Sequence, residues 1–168
     1  LLALTLVEVG SGFVLGSFEA QLLASPSLLV LVPVTIGTAG NLGSVLAARL
    51  STAVHLGTVE FEPGDETLAG NAVATVALAL TVFPVVGLGA WGLATLTTGA
   101  RLGPVTVLTV AVTSGFLLSL LAVLVTGVTT YVAYRLELDP DDVVIPVVTN
   151  VCDVLGVVVL FVVVAVLV

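Results

Sequence analysis

The chain has 168 residues, 59% of them hydrophobic and only 8% charged, and it contains no lysine. A soluble domain carries about a quarter charged residues, so a globular core in a polar shell is excluded and a membrane protein is expected. The formal charge of −8 argues against nucleic acid and anionic lipid headgroups as partners and favours cations, although life in very high salt would give the same acidic, lysine-free composition.

At roughly 20 apolar residues per helical crossing, five or six crossings fit. The apolar runs are long and unbroken, unlike barrel strands, which alternate over about ten positions. Polar breaks at Ser25-Pro26-Ser27, Thr58 to Thr67, Thr97 to Pro104 and Arg135 to Asp142 leave five segments: 1–24, 28–50, 68–96, 105–134 and 143–168. The expectation is an all-α integral membrane protein with five transmembrane helices, one domain over 1–168, in the cell membrane. Segments three and four exceed a perpendicular crossing and predict tilt.

Segment one opens on Leu1, already inside an apolar run, so a natural start upstream of these residues is expected. A signal peptide is not expected, because there is no basic stretch and Glu8 and Glu19 interrupt the apolar core. Glu8, Gly12, Gly16 and Glu19 share one helical face, with Gly12 and Gly16 forming a GxxxG packing motif. Glu19 is placed either at a cation site or on a solvated rim.

Segment two carries Pro33 and then Gly37, Gly40, Asn41, Ser44 and Ala48, one stripe of small and polar groups. Such a stripe admits a neighbouring helix closely or leaves room for a hydrated ion beside backbone carbonyls. Asn41 adds a side chain that needs a hydrogen-bonding partner at depth. His55 stands alone, without the further ligands a zinc site requires.

In segment three, Gly87-Leu88-Gly89-Ala90-Trp91-Gly92 matches GxGxxG, but no strand precedes it, so a dinucleotide reading fails. Trp91 is read as an interfacial anchor. Arg49 and Arg135 fall on one side of a five-crossing topology and Arg101 on the other, which favours the N-terminus inside. The acidic groups Glu60, Glu62, Asp65, Glu66 and Asp139, Asp141, Asp142 then face the cytoplasm. The turn Leu138-Asp139-Pro140-Asp141-Asp142 reads as a capped helix start. No internal repeat is evident.

Segment five holds Asp153 eleven residues in from Val143, about 15 Å deep at 1.5 Å per residue. A carboxylate at that depth faces a partner, a bundle interior or a watery path. Pro146, Thr149, Asn150 and Gly156 share its side of the helix, and Cys152 is read as a buried structural thiol. A membrane aspartyl protease would need a second deep aspartate, so enzymatic hydrolysis is not expected. If two chains met about a two-fold axis at Asp153, the site would carry −2, which a divalent cation cancels. So few ligands suit hydrated magnesium, which keeps its waters and takes one or two carboxylates. The charge argument by itself admits manganese, cobalt or calcium.

Phe18-Glu19, Pro33 through Ser44, Leu138-Asp139-Pro140 and Val148 through Gly156 together resemble the MgtE-type magnesium channels and the related solute-carrier magnesium transporters. The last stretch is similar to the family pattern Thr-Thr-x-x-Asp-x-x-Gly, with Asn150 in place of the second threonine. The resemblance covers essentially the whole chain as a five-helix membrane domain. It implies a homodimer in the lipid bilayer with a pore lined by segments two and five. In that pore the position of Asp153 binds hydrated Mg2+, helped by backbone carbonyls at Thr149 and near Gly37, with Asn41 adjacent. Two departures stand out: these residues include none of the soluble magnesium-sensing region of bacterial relatives, and Ser44-Val45 replaces a more polar pair. Magnesium conduction is the first reading; an ion-coupled exchanger and a non-transporting membrane subunit are the alternatives.

Overall fold

The computed structural model describes residues 2–62, 64–97, 99 and 101–168. Leu1, where the first expected crossing begins, and Pro63, Thr98 and Ala100 in the expected breaks lie outside them. The described residues form six helices: α1 Leu2–Ser17, α2 Glu19–Ala24, α3 Pro26–His55, α4 Glu66–Thr97, α5 Pro104–Arg135 and α6 Pro140–Leu167. α3 to α6 are each long and apolar enough to cross a membrane. Segments two to five of the sequence reading each fall on one of these four, with α3 running on to His55.

The first expected crossing is not one helix, so four helices rather than five are long enough to span. Phe18 leaves helical geometry at φ −104° and ψ 9°, separating the 16-residue α1 from the 6-residue α2. Its ring stacks on Phe161 of α6, with centroids 3.9 Å apart and 4° between planes. That contact, worth about 1 kcal/mol beyond the buried area, accompanies a break marked by neither proline nor glycine.

Contacts along the helices set their directions. Ser11 Oγ donates to the Asp153 carbonyl at 3.3 Å, and Phe18 meets Phe161, so α1 runs parallel to α6. Along α3, Ile36 lies by Gly156, Gly40 by Thr149 and Asp153, and Gly43 by Val148, so α3 is antiparallel to α6. A Cβ on Gly43 would run into Val148, which is why glycine stands there. α4 packs antiparallel on α5 in the same manner: Gly115 accommodates the Phe83 ring, and a Cβ on Gly87 would approach Ala111 Cβ to 2.8 Å. Of the GxGxxG run, Gly87 is therefore a helix contact, while Gly89 and Gly92 face open space. Gly12 and Gly16 also face open space, so among the described residues no helix packs on the expected GxxxG face.

The core divides into a cluster around Leu31, Val110, Leu160 and Phe161 and another around Ala39, Phe83, Leu118, Val148 and Cys152. Trp91 packs half-buried against the first. At one end of the bundle Arg101 donates to the Ala24 carbonyl at 3.1 Å. At the other, His55 Nε2 lies 4.0 Å from Asp139 Oδ1, and Phe61 packs on Tyr131 and Tyr134. The two acidic stretches thus share an end, as the breaks in the sequence predict.

Helix ends follow from local chemistry. Asp139 accepts from the Asp141 amide at 3.0 Å ahead of Pro140, the capped start read from the sequence. Asp65 does the same for α4, accepting from Thr67 at 2.8 Å and Leu68 at 3.0 Å. α3 ends in a left-handed Gly57 (φ +66°), with Thr58 N donating to Ala53 O, and α5 ends identically but with Glu137 (φ 55°) in the glycine place.

Candidate functional site

Gly40 is residue fifteen of the thirty in α3, and Asp153 is residue fourteen of the twenty-eight in α6. The two midpoints touch: a Cβ on Gly40 would lie 3.9 Å from Asp153 Oδ1 and from Thr149 Cα and Cγ2. Glycine here leaves the carboxylate its place between the helices. A charge at half-depth costs at least about 2.5–3.5 kcal/mol, and among the described residues no basic group pairs with Asp153. The carboxylate of Glu8, on α1, instead acts on it as a like charge.

Asp153 is half-buried and lines a groove of about 520 Å³ together with Gly37, Pro33, Ser11 and the apolar Leu29 and Ile36. Gly37 has nothing within 4 Å of its Cβ position, so its backbone faces the open groove. Pro33 brings no N–H to the carbonyl of Leu29 four residues before it, which leaves an oxygen without its helical partner in the same wall.

The sequence-predicted residues divide. Gly37 and Asp153 are brought together in the groove, and Thr149 stands one turn from Asp153 against Gly40. The Thr149 hydroxyl is held by its own helix, 3.0 Å from Ile145 O and 3.1 Å from Pro146 O. Asn41 is exposed on the outer side of α3 next to Gly37 on the helical surface, and Ala48 continues that exposed stripe. Among the described residues no hydrogen bond engages the Asn41 side-chain amide. Glu19, at the start of α2, lines a pocket of about 280 Å³ with Gly12 and Gly16 that adjoins the Asp153 groove across Leu15, Leu22 and Leu29.

Asn150 and Gly156, expected on the face of Asp153, are buried within the protomer: Asn150 Nδ2 donates to Pro146 O at 2.8 Å, and Gly156 packs on Ile36. Ser11 and the nearness of Glu8 to Asp153 were not foreseen. The pairing of α1 with α6 that creates them leaves no local signal beyond the face Glu8 shares with Gly12. Among the described residues no cluster of three or more His, Cys, Asp or Glu could hold a metal by itself.

Four long apolar helices packed with a carboxylate at their midpoints define a multi-pass membrane protein. The chain belongs to the MgtE divalent cation transporter family, whose family model matches residues 32–163. That span contains Gly37, Asn41, Thr149 and Asp153 and stops short of Glu8 and Glu19. Among curated proteins, none matches the chain.

Proposed function

We propose that two copies of the chain conduct Mg2+ along their shared axis, with the two Asp153 carboxylates binding the hydrated ion at mid-membrane. The observation that carries this reading is the meeting of Gly40 and Asp153 at the centres of α3 and α6, with Gly37 open beside them. One protomer offers too few oxygens to strip a cation of water. Magnesium holds its water shell tightly, so ligands that touch the shell rather than the metal suit it. The backbone oxygens at Gly37 and Thr149 serve as such acceptors, each carbonyl having a second lone pair outside the helical bond.

The exposed Gly37 and Asn41 of the α3 stripe form the face that meets the second copy. There Asn41 gains the polar surroundings that its depth demands, either the ion's water shell or its own counterpart. Glu19 stands apart as a rim carboxylate that raises the local cation concentration at one mouth. The paired charges of Asp153 provide selection by valence, since a monovalent ion cancels only half of −2.

The test is divalent flux into liposomes containing Asp153→Asn or Asp153→Ala. Both are expected to abolish Mg2+ uptake while leaving the protein folded and dimeric; unchanged uptake would remove Asp153 from the path. Flux that persists without a sodium or proton gradient marks conduction down the gradient.

A further inference from the structure

The chain has three basic residues apart from His55, and two of them are structurally engaged. Arg101 donates to the Ala24 carbonyl, and the Arg135 guanidinium lies 5.9 Å from the centre of the Tyr131 ring. Arg49 makes no ion pair or hydrogen bond among the described residues and lines a groove of about 560 Å³ between α3 and α4. Glu66, Thr52, Thr67 and Asn71 share that groove. Arg49 stands nine residues beyond Gly40 on α3, about 13 Å along the axis at 1.5 Å per residue. Measured from the bilayer centre, that is the edge of a hydrocarbon core about 30 Å thick, where lipid phosphates begin.

The donors and acceptors divide by sign. The hydroxyl protons of Thr52 and Thr67 are committed to Ala48 O and Thr58 O, so both oxygens face the groove as acceptors only. Asn71 spends one N–H on Thr67 O and keeps the other. Anion recognition therefore rests on Arg49 and Asn71, and ammonium recognition on Glu66 and the threonine oxygens. Arg49 and Glu66 do not pair with each other, which leaves both charges for one ligand carrying both signs.

We propose that this groove binds the headgroup of a zwitterionic phospholipid bearing a primary ammonium, its phosphate on Arg49 and its ammonium on Glu66. The inference rests on the membrane depth of α3, not on the ion path.

The test is lipid retention by the full chain, purified from bilayers of phosphatidylcholine doped with either phosphatidylethanolamine or phosphatidylglycerol and read by native mass spectrometry. Wild type is expected to retain phosphatidylethanolamine preferentially. Arg49→Gln should lower that retention by roughly tenfold, the worth of one charge-assisted contact, and Glu66→Gln should erase the preference over phosphatidylglycerol. Asp153→Asn, which tests the ion path, should retain lipid like wild type. Equal retention of all three lipids, or retention indifferent to Arg49→Gln, overturns the proposal. Displacement by soluble glycerophosphoethanolamine at the lipid's own concentration would overturn the lipid as the occupant.

Discussion

The Cβ position of Gly40 lies 3.9 Å from Asp153 Oδ1, where the midpoints of α3 and α6 meet. That distance is an ordinary contact, so Gly40→Ala should keep Mg2+ flux near wild type. Gly40→Val places methyl groups where the carboxylate lies and should cut flux on the order of ten- to a hundredfold, the scale of a functional group misplaced by about 1 Å. Gly43→Ala is the contrasting control: its Cβ meets Val148, and overpacking should cost about 1–3 kcal/mol of stability. Indicator-dye flux in liposomes and unfolding in mixed detergent separate the two effects.

The Asp65 carboxylate gathers the amides of Glu60 at 2.8 Å, Phe61 at 3.3 Å, Thr67 at 2.8 Å and Leu68 at 3.0 Å. These bonds, Leu68 foremost and then Glu60, hold its carboxyl below the usual 3.8 against the opposing pull of partial burial. A group depressed in the folded state stabilises above its unfolded value and loses that contribution as pH falls through the folded one. Protection of the Glu60, Phe61, Thr67 and Leu68 amides, taken relative to the intrinsic exchange rate at each pH, should therefore hold from neutrality down to about pH 4 and fall below it. Asp65→Asn should exchange fast throughout; a flat pH profile in the wild-type protein would contradict the cap.

Glu137 occupies at φ 55° the left-handed place that Gly57 fills at +66° in the matching turn after α3. A side chain there strains the backbone, so Glu137→Gly should raise stability by about 1 kcal/mol and Gly57→Ala should lower it by a similar amount. Opposite shifts in the unfolding midpoint are the expected result; two shifts of the same sign would show that the turns do not share one geometry.

How far the sequence reaches is clear from particular residues. Asp139 before Pro140, Pro104 after Gly103 and Pro26 after Ser25 are local chemistry, and each begins a helix where it stands. Asp153 is conspicuous because a charge amid valine has one physical meaning at depth. Phe18 gives no such warning: its break coincides with a contact to Phe161, 143 positions away, and hydrophobicity alone runs straight through it. Asn150 failed for a related reason. A helical wheel places it near Asp153, but only the packing of neighbouring helices decides that it is buried and tied to Pro146.

Cys152 and Asp153 are consecutive on α6 and meet different surroundings, since Cys152 is 0% exposed within the Ala39, Leu118 and Val148 cluster while Asp153 lines the groove. A thiol reacts with a maleimide as thiolate and needs both water and access. In wild type in liposomes, Cys152 should react only when the bundle opens. Open fractions of about 10⁻³ to 10⁻⁶ are usual, so labelling should be slowed roughly a thousandfold or more relative to a free thiol. A thiol put at the next position, Asp153→Cys with Cys152→Ala, should label with a small water-soluble maleimide, and Mg2+ should slow that reaction by occupying the path. Equal rates at the two positions would mean that α6 is rotated from the orientation in which Asp153 faces Gly40, and the ion path would have to be sought on another face.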